Sequence, residues 1–99
     1  MLNLPIKLDP MDKRLAKRVS KYPPQVLQNL EYVARELEDP ENELPPGRQE
    51  ELVSGYDNVY SLRLSLGYRV AIEDFGNGRG RYVYADSHER FYEWLNRRS

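Results

Sequence analysis

A chain of 99 residues can close one hydrophobic core and has no room for two, so a single domain spanning residues 1–99 is expected. Its hydrophobic share of 39% is low and its charged share of 31% is high, which reads as a small core under a wet surface. The absence of cysteine excludes a disulfide framework, a thiolate zinc site and a cysteine nucleophile, and one histidine cannot by itself build a metal centre, so neither a metal nor any other cofactor is expected.

No apolar stretch approaches the roughly 18 residues that span a bilayer, and the N-terminal residues lack the apolar region of a secretory signal. A cytoplasmic protein with no membrane partner is the expectation. The formal charge of -1, from 15 basic and 16 acidic residues, gives no global reason to expect nucleic acid. The distribution is more informative. All four lysines lie early, at Lys7, Lys13, Lys17 and Lys21, whereas every basic residue after position 55 is arginine. That bias suits planar, bidentate contact with phosphate or carboxylate in the C-terminal half. Seven acidic residues between Glu36 and Glu51 face the single Arg48, and this segment can hide a basic site from the net charge.

In chain order, Leu2, Leu4, Ile6 and Leu8 alternate with polar residues and Pro5, the pattern of a half-buried strand at a sheet edge. Asp9-Pro10-Met11-Asp12 then supplies a cap, a proline for the first helical position and a first-turn carboxylate. Met11, Leu15 and Val19 form the apolar side of the helix that follows, and Tyr22-Pro23-Pro24 ends it. A second helix from Pro24 carries Val26, Leu27, Leu30, Val33, Ala34 and Leu37 as a broad apolar stripe and stops at Asp39-Pro40. Residues 41–56 hold prolines and glycines with little periodicity and read as a loop.

Three strands follow. Tyr60, Leu62 and Leu64 alternate with Val59, Ser61 and Arg63; Tyr68, Val70 and Ile72 alternate with Arg69, Ala71 and Glu73. Putting both apolar sets on one face pairs Leu62 with Val70, leaves the loop Ser65-Leu66-Gly67, and sets Arg63 opposite Arg69. An Asn77-Gly78 turn then brings Val83 and Ala85 beside Ile72 and Val70, with Tyr82 and Tyr84 joining the arginines on the other, open face. Residues 87–96 form a short helix capped by Ser87 or Asp86, with Trp94 and Leu95 turned to the core. The fold class is α+β: an antiparallel sheet packed on an N-terminal helical hairpin, in the order β-α-α-β-β-β with a short C-terminal helix.

Opposed arginines repel, at a cost of a few tenths to about 1 kcal/mol. Either water, counter-ions or a carboxylate such as Glu73, Asp86 or Glu89 offsets this, or a bound anion does. Tyr82 and Tyr84 beside the pair would suit a phosphodiester with adjacent bases. His88, just past the last strand, is either an ordinary surface or cap residue or a general acid or base, since its unperturbed pKa lies near neutrality. Tyr92, one turn on, shares its helix face.

These segments together resemble the RelE/ParE superfamily of small bacterial and archaeal type II toxins. The resemblance rests on the proline corner Lys21-Tyr22-Pro23-Pro24-Gln25-Val26 with its leucine-rich second helix, on Tyr60-Ser61-Leu62-Arg63-Leu64 leading into Gly67-Tyr68-Arg69-Val70, and on Ser87-His88-Glu89-Arg90-Phe91-Tyr92-Glu93-Trp94. It implies a metal-independent endoribonuclease that cuts mRNA on the ribosome, by attack of a ribose 2′-hydroxyl on the adjacent phosphorus. Arg69 and Arg63 would stabilise the phosphate, His88 would transfer protons, and Tyr92 would orient the substrate. Arg81, Tyr82, Tyr84 and Arg90 would contact the RNA. The resemblance also implies a cognate antitoxin as partner. The same superfamily leaves two alternatives, a ParE-like gyrase poison and a non-catalytic binding protein of this fold.

Overall fold

The hydrophobic alternation of the strands and the apolar stripe of the second helix settle into an α+β fold in the computed structural model, which describes residues 2–41, 43–65 and 67–98. The elements are β1 (Lys7–Leu8), α1 (Lys13–Val19), α2 (Pro24–Glu38), a 3-10 turn (Pro46–Arg48), β2 (Glu51–Leu52), β3 (Val59–Arg63), β4 (Tyr68–Asp74), β5 (Arg79–Ser87) and α3 (His88–Arg98). The strands form one sheet in the order β1-β5-β4-β3-β2. The sheet is mixed rather than wholly antiparallel, because β1 runs parallel to β5.

β1 is shorter than the alternation of residues 2–8 suggests. Only Lys7 and Leu8 pair with Arg79 and Gly80, while Ile6 donates its N–H to the Leu37 carbonyl at the end of α2 (2.6 Å). The burial follows the pattern nonetheless, with Leu2 and Ile6 enclosed. Gly80 is hemmed in from both sides, since a Cβ there would stand 2.5 Å from the carbonyl oxygen of Glu73 on β4 and 3.0 Å from Ile6 Cγ2, just before β1. Asp9 extends this ladder, donating its N–H to the Gly80 carbonyl (2.8 Å) and pairing its carboxylate with Arg79. It is therefore unavailable as a cap, and α1 begins three residues later on Asp12, whose carboxylate accepts from the Leu15 N–H at 2.9 Å.

The α1/α2 hairpin packs Leu15, Val19, Val26, Leu30, Val33 and Leu37 against Leu62, Val70, Ile72 and Ala85 on one sheet face. The β3–β4 register is the one that the shared apolar face requires: Leu62 pairs with Val70 and Arg63 with Arg69, and Gly67 closes the connection at φ 75°. Leu66, in the middle of that loop, lies outside the described residues. The next hairpin differs from the expectation. Val70 pairs with Ala85, but a bulge between Ala71 and Ile72 brings Tyr82, not Val83, opposite Ile72. Tyr82 consequently packs on the helical-hairpin side and Val83 on the other.

That other face is not open. Phe91, fully buried on α3, meets Val53, Val59 and Ala71, and Trp94 and Leu95 pack around this second core. β3 is thus buried on both faces from Val59 to Leu62. Residues 41–56 carry more structure than a loop. The 3-10 turn inserts Arg48, which forks onto the Glu36 carboxylate (2.8 and 3.0 Å) and donates to the Leu64 carbonyl (2.9 Å), and β2 adds a fifth strand beside β3. Among the described residues no helix is long and apolar enough to cross a membrane.

Candidate functional site

The β3–β4 register places Arg63 and Arg69 side by side near the hairpin end. Across β4, Tyr68 pairs with Ser87, the last residue of β5, and the next residue, His88, donates its N–H to the Gly67 carbonyl. Ser87 starts α3 by accepting from the Arg90 N–H (3.4 Å). Residues four apart share a helix face, so Tyr92 stands over His88 with ring centroids 4.6 Å apart. Arg63, Arg69, His88 and Tyr92 accordingly line one cavity of about 280 Å³, together with Gln49 and Glu51.

Arg69 is only 4% exposed. Its Nε donates to Ser61 Oγ (2.6 Å), and Nη2 donates to the carbonyls of Gln49 (2.8 Å) and Ser61 (3.2 Å). All these acceptors are neutral. Asp86 is the cross-strand neighbour of Arg69, yet its carboxylate accepts from Arg18 (3.2 Å) and from the Tyr84 hydroxyl (2.6 Å). Glu73 pairs instead with Arg81 at 2.5 Å. Neither Arg63 nor Arg69 has an ion-pair partner among the described residues. Two cations opposed across a hairpin, one of them buried and hydrogen-bonded only to neutral acceptors, favour an incoming anion. Nη1 of Arg69 makes no hydrogen bond among the described residues.

Three residues that build this site had roles silent in the sequence. Ser61 accepts from the Arg69 guanidinium through its hydroxyl and its carbonyl. Gln49 adopts left-handed backbone (φ 48°) and turns its carbonyl to Arg69. Glu51 brings a carboxylate to the cavity from β2. The only advance signal was Arg48, alone in an acidic segment, whose ion pair fixes the turn that carries Gln49.

The residues expected to contact RNA do not join this cavity. Arg81 is exposed on β5 and paired with Glu73. The bulge sends Tyr82 to the other face, where burial and, after it, the nearby Glu38 raise its pKa. Tyr84 keeps its side of the sheet but stacks on Trp94 (4.8 Å, 17°), and burial followed by its hydrogen bond to Asp86 raises its pKa. Arg90 lies two residues from both His88 and Tyr92, so it leaves α3 on the opposite side.

No protein-family model and no curated protein matches the sequence. Solved structures do match. The chain is similar to a structure of the RelB-RelE antitoxin-toxin complex from Methanococcus jannaschii, with a TM-score of 0.65 and 18% identity over 85% of this chain and 95% of that one. It is also similar to a copper-bound L66S mutant toxin from Helicobacter pylori, with a TM-score of 0.55 and 12% identity over 89% of this chain and 98% of that one. The fold of this chain is a RelE/ParE-like toxin fold.

Proposed function

We propose that the protein is the toxin of a type II toxin-antitoxin system and an endoribonuclease acting on mRNA at the ribosome in the cytoplasm. The observation that carries this reading is the Arg63–Arg69 pair with no ion-pair partner among the described residues, set in one cavity with His88, Glu51 and Tyr92. A scissile phosphodiester supplies the missing anion. In the reaction, the ribose 2′-oxygen loses its proton to a base and forms a bond to phosphorus. The bond from phosphorus to the 5′-oxygen breaks, and that oxygen takes a proton from an acid. The products are a 2′,3′-cyclic phosphate and a 5′-hydroxyl. Glu51 and His88 are the two cavity groups suited to the proton transfers. Arg69, held rigidly by Ser61 and Gln49, faces the charge that grows on the phosphoryl oxygens, with Arg63 beside it. Tyr92 stacks on or orients a base. None of these steps calls on a metal.

An antitoxin partner is part of the same proposal, supported by the similarity to a chain of an antitoxin-toxin complex. The test is 5′-end mapping of cellular mRNA after brief induction, with an Arg69→Ala, His88→Ala variant of verified fold in parallel. New ends in translated regions are expected in the wild type and absent in the variant. Ends in untranslated RNA as well would remove the ribosome from the reading. No new ends would overturn the nuclease assignment, and a DNA-damage response without RNA cleavage would replace it with gyrase poisoning.

A further inference from the structure

α3 separates two concave surfaces. His88 and Tyr92 line the Arg69 cavity, whereas Arg90 and Trp94, displaced by two residues and so by about 200° around the helix, line a larger groove of about 790 Å³ between α1 and α3. Its floor is the outer part of β5, where β1 no longer pairs, so this stretch of the sheet edge is flanked by α1 instead of by a strand. Five cations border the groove: Arg14, Lys17, Arg18, Lys21 and, from α3, Arg90. Its two carboxylates are both engaged, Asp12 in capping α1 and Asp86 with Arg18 and the Tyr84 hydroxyl. Arg14, Lys17, Lys21 and Arg90 have no ion-pair partner among the described residues. The Tyr84–Trp94 stack lies among them, with the Arg18 guanidinium 5.5 Å from the Tyr84 ring centre.

We propose that this groove is a second RNA-binding surface, which holds single-stranded RNA flanking the segment in the Arg69 cavity. The proposal rests on the ribonuclease reading only for the identity of the strand. Unpaired cations bordering stacked aromatic rings are the combination that grips a phosphodiester backbone and its bases without reading sequence. An amphipathic protein helix would need a row of apolar anchors, and besides the aromatic rings the groove lining offers only Leu15 and Val83. The strand would run from one face of α3 to the other around its N-terminal turn. The groove also reconciles an overall charge of -1 with an RNA substrate, since five of the 15 basic residues border this one surface.

Trp94 is the only tryptophan and borders the groove but not the cavity, so its emission reports binding in the groove. The probe is a 2′-O-methyl oligouridine of roughly ten nucleotides, which cannot be cleaved by 2′-hydroxyl attack. Titration is expected to change Trp94 emission in the wild type. In a Lys17→Glu, Lys21→Glu variant, binding is expected to weaken roughly tenfold or more, and the slope of log affinity against log salt to fall by about 1.4, at ~0.7 per lost phosphate contact. Both lysines are exposed, so circular dichroism should remain that of the folded protein, with the thermal midpoint lowered only by the several degrees expected for a carboxylate in the last turn of α1. An absent response in the wild type, or one that the charge reversals leave unaltered, overturns the proposal. A response to polyglutamate that the oligouridine cannot displace also overturns it and assigns the groove to an acidic protein segment. Failure of the ribonuclease reading shows up separately, as absence of cleavage of unmodified RNA.

Discussion

Ser61 and Gln49 use one hydroxyl and two carbonyls to hold the guanidinium of Arg69, and no carboxylate joins them. The pairing of Arg63 with Arg69 was legible from alternation and loop length alone; the neutral cradle was not, because a carbonyl on a left-handed glutamine leaves no mark in composition or periodicity. A different residue ties the edge of the sheet to α1. Tyr22 stacks obliquely on Tyr68 (5.1 Å) and donates its hydroxyl to the Ala85 carbonyl (2.7 Å). Burial, reinforced by Asp86, raises its pKa above the ordinary value of 10.0. The folded protein therefore holds the phenolic proton more tightly than the unfolded chain does. Its contribution to stability is complete below pH 10.0 and declines as pH rises beyond it. Urea denaturation at about pH 9 and about pH 11 should show a smaller alkaline loss in Tyr22→Phe than in the wild type, with Tyr22→Phe itself costing about 1 kcal/mol at the lower pH. Equal alkaline losses in the two proteins would contradict this account of Tyr22.

Among the elements, the segment between α2 and β3 differs most from its sequence. Two-residue β2 is too short to alternate, and the 3-10 turn is fixed by a tertiary ion pair that local propensity cannot encode. Arg48 joins α2 through Glu36 to the end of β3 through the Arg63 and Leu64 carbonyls, and its successor Gln49 positions Arg69. Arg48→Ala is expected to lower stability by about 2–3 kcal/mol in chemical denaturation, less than a fully enclosed pair because Glu36 retains some exposure. RNA cleavage should fall further than the loss of folded protein explains. A change below about 0.5 kcal/mol would mean that the pair behaves as a surface contact. The bulge in the β4–β5 hairpin was equally hidden: a glycine-rich turn permits several registers, and one extra residue moved Tyr82 to the opposite face.

At the scale of the whole molecule, the sheet is enclosed on both sides, by the helical hairpin on one and by α3 on the other. The apolar alternation announced the first face plainly. The second was obscure because its core is small, Val53, Val59, Ala71 and Phe91, and draws on a loop residue and three separate elements. This second core makes α3 the divider between the Arg69 cavity and the basic groove, and it sets His88 against the hairpin end. Phe91→Ala should cost about 3–5 kcal/mol, the range for emptying a buried phenylalanine site. It should also reduce cleavage at temperatures where the rest of the fold persists, because His88 and Tyr92 lose their common support. Retention of wild-type stability would show that α3 is not anchored through this core.

The central claim is that the paired arginines, His88 and Glu51 cleave RNA through its own 2′-hydroxyl. The most direct measurement is cleavage of a ribosome-bound mRNA by the purified protein, analysed by the chemistry of the new ends, beside the same mRNA with a single 2′-deoxy nucleotide at the mapped position. The expected result is a 2′,3′-cyclic phosphate and a 5′-hydroxyl from the unmodified mRNA, and no cut at the deoxy position. Cleavage that proceeds undiminished at the deoxy nucleotide, or no cleavage of either mRNA, would contradict it.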